Sequence, residues 1–244
     1  MINFFKKAVI VILTAAFLFL SKEAFAMKTL QQSKIFKNEI SLKYLLYLPK
    51  DYGKTGEKWP LIVFLHGAGE RGNDLNKVKV HGIPKMLDTR DDFQFVVVSP
   101  QCPANAWWTD YLQSINALIE QIAKEYNIDE SRIYMTGLSM GGFGTWNMAE
   151  RYPDLFAAIA PICGGGETFL ANYIKAPVWA FHGAKDDIVP LQRSQEMVDA
   201  VKKNGVEVQF TVYPDLMHNC WDAAYANEEL YKWFLSHKKN SKNE

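Results

Sequence analysis

Six stretches of the chain are largely apolar, and most of them end at a residue that breaks a strand. Residues 61–65 follow Pro60 and end at His66-Gly67. Residues 93–98 end at Ser99-Pro100, 132–136 at Gly137, 177–181 at His182-Gly183 and 206–213 at Pro214, with a further run at 156–162. Runs of this length without polar alternation suit strands buried on both faces. Residues 40–47 mix apolar and polar positions behind the turn-like Asn38-Glu39 and read as another strand, preceded by a shorter one at 34–37. Between the runs the period changes to that of a helix. Leu112, Ile115, Leu118, Ile119 and Ile122 recur at three- and four-residue spacing. Residues 140–151 are helix-like and stop before Pro153, and 191–203 stop at Asn204-Gly205. Residues 221–237, carrying Tyr225, Leu230, Trp233 and Phe234, read as one last helical segment, and the polar tail 238–244 is expected to fray. Residues 69–88 read as a loop lying above the sheet, with a short helix near Pro84.

Buried strands alternating with helices imply an α/β fold: a mostly parallel sheet with helices on both faces. The two leading strands are expected to form an antiparallel edge, which makes eight strands in one domain. The chain has 244 residues, and we see no linker, internal repeat or low-complexity stretch in it.

The N-terminus follows a different logic. Lys6 and Lys7 precede fourteen uncharged residues, 8–21, and Ala24-Phe25-Ala26 supplies a small-x-small site. That is the layout of a secretory signal peptide over residues 1–26, leaving 27–244 as the folded domain, secreted or periplasmic. The apolar run is shorter than the ~18 residues a spanning helix needs, so no stable membrane insertion is expected after cleavage. Lys plus Arg and Asp plus Glu are both 27, and this neutral balance argues against a nucleic-acid partner. The three cysteines, Cys102, Cys163 and Cys220, contain no C-x-x-C spacing, so no metal site is expected. Cys102 and Cys163 fall about three strand positions apart, ~14 Å at the usual strand spacing, beyond disulfide reach unless loops close the distance. Cys163 and Cys220 lie two strands apart, where loops could also close the distance, and the sequence assigns no disulfide.

The candidate chemistry lies at strand ends. Gly137-Leu138-Ser139-Met140-Gly141 is a G-x-S-x-G pattern between an apolar strand and a helix. In that context the glycines let the chain turn sharply and lift a serine above the sheet, at a helix N-terminus that favours developing negative charge. Such a serine needs a base and an acid, and both follow it in chain order at two later strand ends. Asp186 and Asp187 follow the strand at 177–181, and His218 follows the strand at 206–213. Of the five histidines, His66 precedes the serine, His182 reads as a structural strand-end residue and His237 is in the tail, which leaves His81 without an assigned role and His218 as the base.

With these pieces in place, the chain resembles secreted esterases of the α/β-hydrolase superfamily, in the carboxylesterase, dienelactone-hydrolase and feruloyl-esterase-like group. The matching segments are Tyr44 to Pro49, His66-Gly67-Ala68-Gly69-Glu70-Arg71-Gly72, Gly137 to Gly142 and the two later strand-end loops. The resemblance implies an α/β-hydrolase fold and a Ser139, Asp186, His218 triad, since H-G-x-x-D-x-x-V-P selects Asp186 over Asp187. It places the oxyanion donors at Ala68, with Gly67 as competitor, and at Met140. Glu70 and Arg71 are expected to brace that loop as an ion pair. Some feruloyl esterases link a cysteine beside the serine to one beside the histidine, but Leu138 and Asn219 occupy those places here.

Trp107, Trp108 and Trp221 fall at the same sheet edge and are the candidate substrate-binding residues. The expected reaction is hydrolysis of a small-molecule or polysaccharide-linked carboxylic ester through an acyl-enzyme, with no cofactor. Acetyl or feruloyl esters of polysaccharide fit the resemblance and the export signal. A serine peptidase using the same triad and a non-catalytic ligand binder are the alternatives. The 218 residues after the signal leave no room for the large accessory domain of prolyl-oligopeptidase relatives.

Overall fold

The computed structural model describes residues 31–37, 41–54 and 56–239. The signal-peptide segment, the Asn38-Glu39 turn and the end of the polar tail lie outside the described residues. The strands are β1 (Gln31–Phe36), β2 (Leu42–Tyr47), β3 (Trp59–Leu65), β4 (Val96–Pro100), β5 (Ile128–Leu138), β6 (Ala158–Ile162), β7 (Val178–Gly183) and β8 (Val208–Tyr213). They form one eight-stranded sheet in the order β1-β2-β4-β3-β5-β6-β7-β8. β1 pairs antiparallel with β2, and β2 antiparallel with β4. Every later pair is parallel. The α/β-hydrolase expectation therefore holds, antiparallel edge included.

The helices are α1 (Gly82–Leu87), α2 (Leu112–Glu125), α3 (Met140–Arg151), α4 (Gln192–Lys203), α5 (Trp221–Ala226) and α6 (Glu228–Ser236). Strand alternation sends neighbouring side chains to opposite faces, so each interior apolar strand feeds two cores, whereas β8, expected to be buried on both faces, is an edge strand with polar Gln209 and Thr211 and no buried residue. Leu61, Val63, Leu65, Ile133 and Met135 pack in one cluster with Ile115, Leu118, Trp146, Met148, Met197 and Val201 of α2, α3 and α4. The alternate residues Phe64 and Tyr134 meet Tyr225 and Phe234 of α5 and α6 instead, with ring centroids 5.7 and 4.9 Å apart.

Several boundaries differ from expectation: β1 and β5 start earlier, at Gln31 and Ile128, and two other differences have a local cause. The last helical segment is broken at Asn227, whose backbone is extended (φ −79°, ψ 104°) and whose side chain accepts from the Glu229 N–H at 3.1 Å. Asn227 is an N-cap, so a second helix starts where the apolar period seemed continuous. Phe93 and Phe95 precede β4 rather than lie in it. Both are buried and pack on Tyr231, at 4.9 and 6.3 Å. The start of the polar tail is also held, since the Lys239 N–H donates to the Ser131 carbonyl at 2.9 Å.

Strand order runs outward in both directions from β3, to β4 on one side and β5 on the other. At such a switch point the loops beyond the strand C-termini part and leave a crevice. The segments after β3, β4, β5, β7 and β8 carry Ala68, Trp107, Ser139, Asp186 and His218.

Candidate active site

Ser139 occupies the join of β5 and α3 at φ 52°, ψ −116°. This half of backbone space strains a residue that has a Cβ. Its N–H donates to the Ile162 carbonyl at 2.9 Å, tying the turn to β6. A Cβ on Gly137 would fall on the Gly141 carbonyl, and one on Gly141 would fall on the Leu65 carbonyl of β3. The glycine spacing is thus a matter of backbone meeting backbone.

Ser139 Oγ lies 2.9 Å from His218 Nε2, and His218 Nδ1 lies 2.7 Å from Asp186 Oδ2. The Asp186 side chain is fully buried and that of His218 is 16 % exposed. The other carboxylate oxygen, Oδ1, accepts from the N–H groups of Ile188 and Val189 at 3.0 and 2.9 Å. Asp186 Oδ2 accepts a hydrogen bond from His218 Nδ1–H, a tautomer that leaves Nε2 as acceptor for the serine hydroxyl. The arrangement is an alcohol with a base aimed at its proton. Asp187 is exposed. Asp215 pairs in solvent with Lys185 at 2.8 Å.

His182 does more than end a strand. Its Nε2 faces two acceptors, the Val189 carbonyl at 2.9 Å and Asp186 Oδ2 at 3.1 Å, so Nε2 carries a proton. Its Nδ1 lies 2.7 Å from the Ser194 hydroxyl. Burial holds its pKa below the usual histidine value, which keeps the ring neutral. Asp186 thus accepts four hydrogen bonds from a neutral frame. The H-G-x-x-D-x-x-V-P pattern contained this signal, because its His and Val both touch the acid.

The N–H groups of Ala68 and Met140 have no backbone or side-chain acceptor among the described residues, and both residues line the same cavity as Ser139. The expected Glu70–Arg71 ion pair does not form. Glu70 Oε2 accepts the Gly67 N–H at 2.9 Å. That commits the N–H of Gly67, the alternative oxyanion donor. Arg71 donates to the Ala68 carbonyl at 2.9 Å and the Ala106 carbonyl at 3.3 Å, and stacks 5.5 Å from the Trp107 ring. Each charge braces the loop through backbone groups, which offer fixed partners where a neighbouring side chain would not. His66 anchors the same loop from below: Nδ1 lies 2.6 Å from the Gly67 carbonyl and Nε2 accepts the Cys102 N–H at 3.0 Å. Burial pushes its pKa down to about 4.

A cavity of about 550 Å³ opens beside Ser139, lined by Ala68, Trp107, Met140, Phe143, Val189 and Arg193 among others. The three candidate tryptophans separate here. Trp107 is 54 % exposed and forms part of the cavity wall. Trp108, by contrast, is 1 % exposed; its indole donates to the His66 carbonyl at 2.9 Å, so, contrary to expectation, it supports the loop from inside and is out of reach of a substrate. The 3-10 turn Trp108–Tyr111 rotates the two neighbouring side chains apart. Trp221 stands edge-on to His218, centroids 5.2 Å apart, and flanks the base without lining this cavity.

All three thiols are buried and unbridged. The loop after β8 folds back far enough to bring Cys220 beside the Cys163 thiol, although their strands are two positions apart. Cys163 Sγ also lies with an Asp186 oxygen and a His218 nitrogen in a trio spanning at most 4.8 Å. Its donor chemistry does not suit a cation. Burial pushes the Cys163 thiol well up, away from the thiolate a metal requires, and the acid and imidazole are committed to each other.

A family profile described as the dienelactone hydrolase family matches residues 99–232, more than half of the chain, and spans Ser139, Asp186 and His218. The chain belongs to the dienelactone hydrolase family. This dienelactone hydrolase family member is 34 % identical over 182 residues to a bifunctional acetylxylan esterase/xylanase of Neocallimastix patriciarum, covering 71 % of this chain and 26 % of that protein. It is 27 % identical over 152 residues to feruloyl esterase B of Neurospora crassa, covering 57 % and 49 %. The chain thus spans about a quarter and about half of these relatives. The crystal structure of a thermostable esterase superposes with a TM-score of 0.76 at 34 % identity, covering 87 % of this chain and 64 % of that one.

Proposed function

We propose that this chain is an exported serine hydrolase that cleaves carboxylic esters, with its catalytic domain over residues 27–244. The observation that carries the reading is the relay of 2.9 and 2.7 Å from Ser139 through His218 to Asp186, at the edge of a cavity that also receives two unoccupied N–H groups. Ser139 Oγ attacks the ester carbonyl carbon while His218 Nε2 takes the hydroxyl proton. The carbonyl oxygen gains the negative charge and is held by the N–H groups of Ala68 and Met140, the latter at the positive end of α3. Asp186 fixes the ring tautomer and stabilises the imidazolium. His218 then gives the proton to the leaving alcohol. Water repeats the attack on the acyl-serine, losing a proton to His218, which returns it to Ser139 Oγ as the acyl–oxygen bond breaks and the acid leaves.

Acetyl or feruloyl groups on polysaccharide are the favoured substrates, in line with the acetylxylan and feruloyl esterase relatives and with the signal-like residues 1–26. Among the described residues no helix is long and apolar enough to cross a membrane. The test is a p-nitrophenyl ester panel, from acetate to decanoate plus ferulate, on the native chain and on Ser139→Ala. Turnover by the first and none by the second is expected. Turnover retained by Ser139→Ala would remove the serine from the mechanism. Inertness toward all esters with cleavage of an aminoacyl-p-nitroanilide would move the activity to peptides, and binding without fluorophosphonate labelling of Ser139 would make the chain a ligand binder.

A further inference from the structure

Helix α3 is buried along most of its length. Solvent reaches it along one stripe, Phe143, Asn147 and Arg151, spaced by four residues and continuing the line that begins at Ser139. Residues at that spacing stand one above another on a helix. The stripe runs about 18 Å from Ser139 to Arg151 at 1.5 Å per residue. Two cavities lie along it. The one beside Ser139 and a second of about 610 Å³ share Thr109 and Asn147 in their linings. One wall comes from the segment after β4, with Trp107, Thr109 and Leu112. The facing wall comes from the segment after β6, with Gly166, Glu167, Leu170 and Tyr173. The cavity at Ser139 therefore adjoins a second one along the helix, and the two together have the length for a short oligomer rather than an acetyl group.

We propose that the two cavities act as one groove that binds the carbohydrate chain of a polysaccharide ester, with Tyr173, Thr109 and Asn147 setting specificity for the saccharide next to the reacting sugar. The proposal rests on the ester-hydrolase reading and extends it to the alcohol side of the substrate. Its chemistry is mixed. Trp107 and Tyr173 are 54 % and 53 % exposed on opposite walls, offering flat apolar faces to sugar rings. Between them Thr109, Asn147, Glu167 and Arg151 supply donors and acceptors. Asn147 gives one amide N–H to the buried Glu150 Oε2 at 3.1 Å, which holds its side chain in place. Sugar hydroxyls both donate and accept and can use such a set. An aliphatic oligoester presents carbonyl acceptors only and would leave the glutamate unmatched.

The experiment measures kcat/KM for acetylated β-1,4-linked pentose oligosaccharides from disaccharide to hexasaccharide, with p-nitrophenyl acetate as the short reference. Affinity of Ser139→Ala for the same oligosaccharides, without acetyl groups, is measured by calorimetry. In the native chain kcat/KM is expected to rise with length by roughly tenfold, mainly through KM. Tyr173→Ala and Thr109→Trp, checked for an unchanged melting curve, are expected to lower the hexasaccharide-to-disaccharide ratio by about fivefold within each variant. A flat length profile with normal turnover of p-nitrophenyl acetate overturns the groove and leaves the ester hydrolase standing. Length-dependent binding to Ser139→Ala in a chain that hydrolyses no ester upholds the groove and sinks the reaction. A steeper length gain with oligoesters of aliphatic hydroxy acids than with sugars overturns the saccharide assignment.

Discussion

Asp186→Asn is a sharp perturbation because it changes one atom's hydrogen-bonding sense without changing side-chain shape. The carboxylate accepts four bonds: two from backbone N–H groups on Oδ1, and two on Oδ2 from His218 Nδ1 at 2.7 Å and His182 Nε2 at 3.1 Å. An amide has one accepting oxygen and one donating nitrogen. If the oxygen keeps the two backbone bonds, the amide N–H₂ points at both histidines. His218 must then turn Nδ1 into an acceptor and carry its proton on Nε2, facing Ser139 as a donor. The base has lost its lone pair to the wrong nitrogen. The reverse amide orientation sets N–H₂ against two backbone N–H groups and is worse. A wrong tautomer of this kind costs about 10⁴-fold in turnover, or about 5.5 kcal/mol of barrier. Stability should change far less, by under about 2 kcal/mol, because losing one charge-assisted bond is offset by removing a buried charge. The assay is initial-rate kcat/KM on p-nitrophenyl acetate, with urea unfolding of the same preparations. Turnover within about tenfold of the native chain, in a folded variant, would refute the assignment of Asp186 as the group that orients His218.

Three further outcomes are expected. Ser139→Gly should be more stable than Ser139→Ala by about 1 kcal/mol, since φ 52° strains any residue with a Cβ, and equal urea midpoints would remove strain from the account. Gly141→Ala should cost more than about 3 kcal/mol or fail to give soluble protein, because its Cβ meets the Leu65 carbonyl, and a near-native melting temperature would contradict that packing. Stability should fall on acidification. His66 is held near pKa 4 by burial against an ordinary 6.5, so between those values the unfolded chain binds the extra proton. The contribution is intact above 6.5 and declines by up to about 3 kcal/mol as pH drops toward 4, with His182 acting in the same direction. Urea midpoints near neutral pH and near pH 5 check the sign, and His66→Asn should flatten the slope.

The chain's own pattern determined the fold and most of the candidate catalytic residues. Uninterrupted apolar runs can be buried only on both faces, and helical periods between them force parallel crossovers, so the sheet and its antiparallel edge were legible. Gly137 and Gly141 around Ser139 were legible because the reason for them is local: adjacent backbone cannot admit a Cβ. His218 and an acid at Asp186 or Asp187 followed from chain order, since strand ends of a parallel sheet lie on one edge, and the family resemblance chose Asp186. Other features depended on partners remote in sequence. His182 becomes the second imidazole on Asp186 only once β7 and the following loop fold together. Glu70 and Arg71, adjacent in sequence and opposite in charge, part to serve separate backbone groups. Trp107 and Trp108 face opposite ways through a single 3-10 turn, one to the cavity and one to the core. The break at Asn227, the meeting of Cys163 with Cys220 and the groove along α3 likewise arise from tertiary packing. Periodicity records which side of an element is apolar, whereas which neighbour covers that side is decided by the whole chain at once.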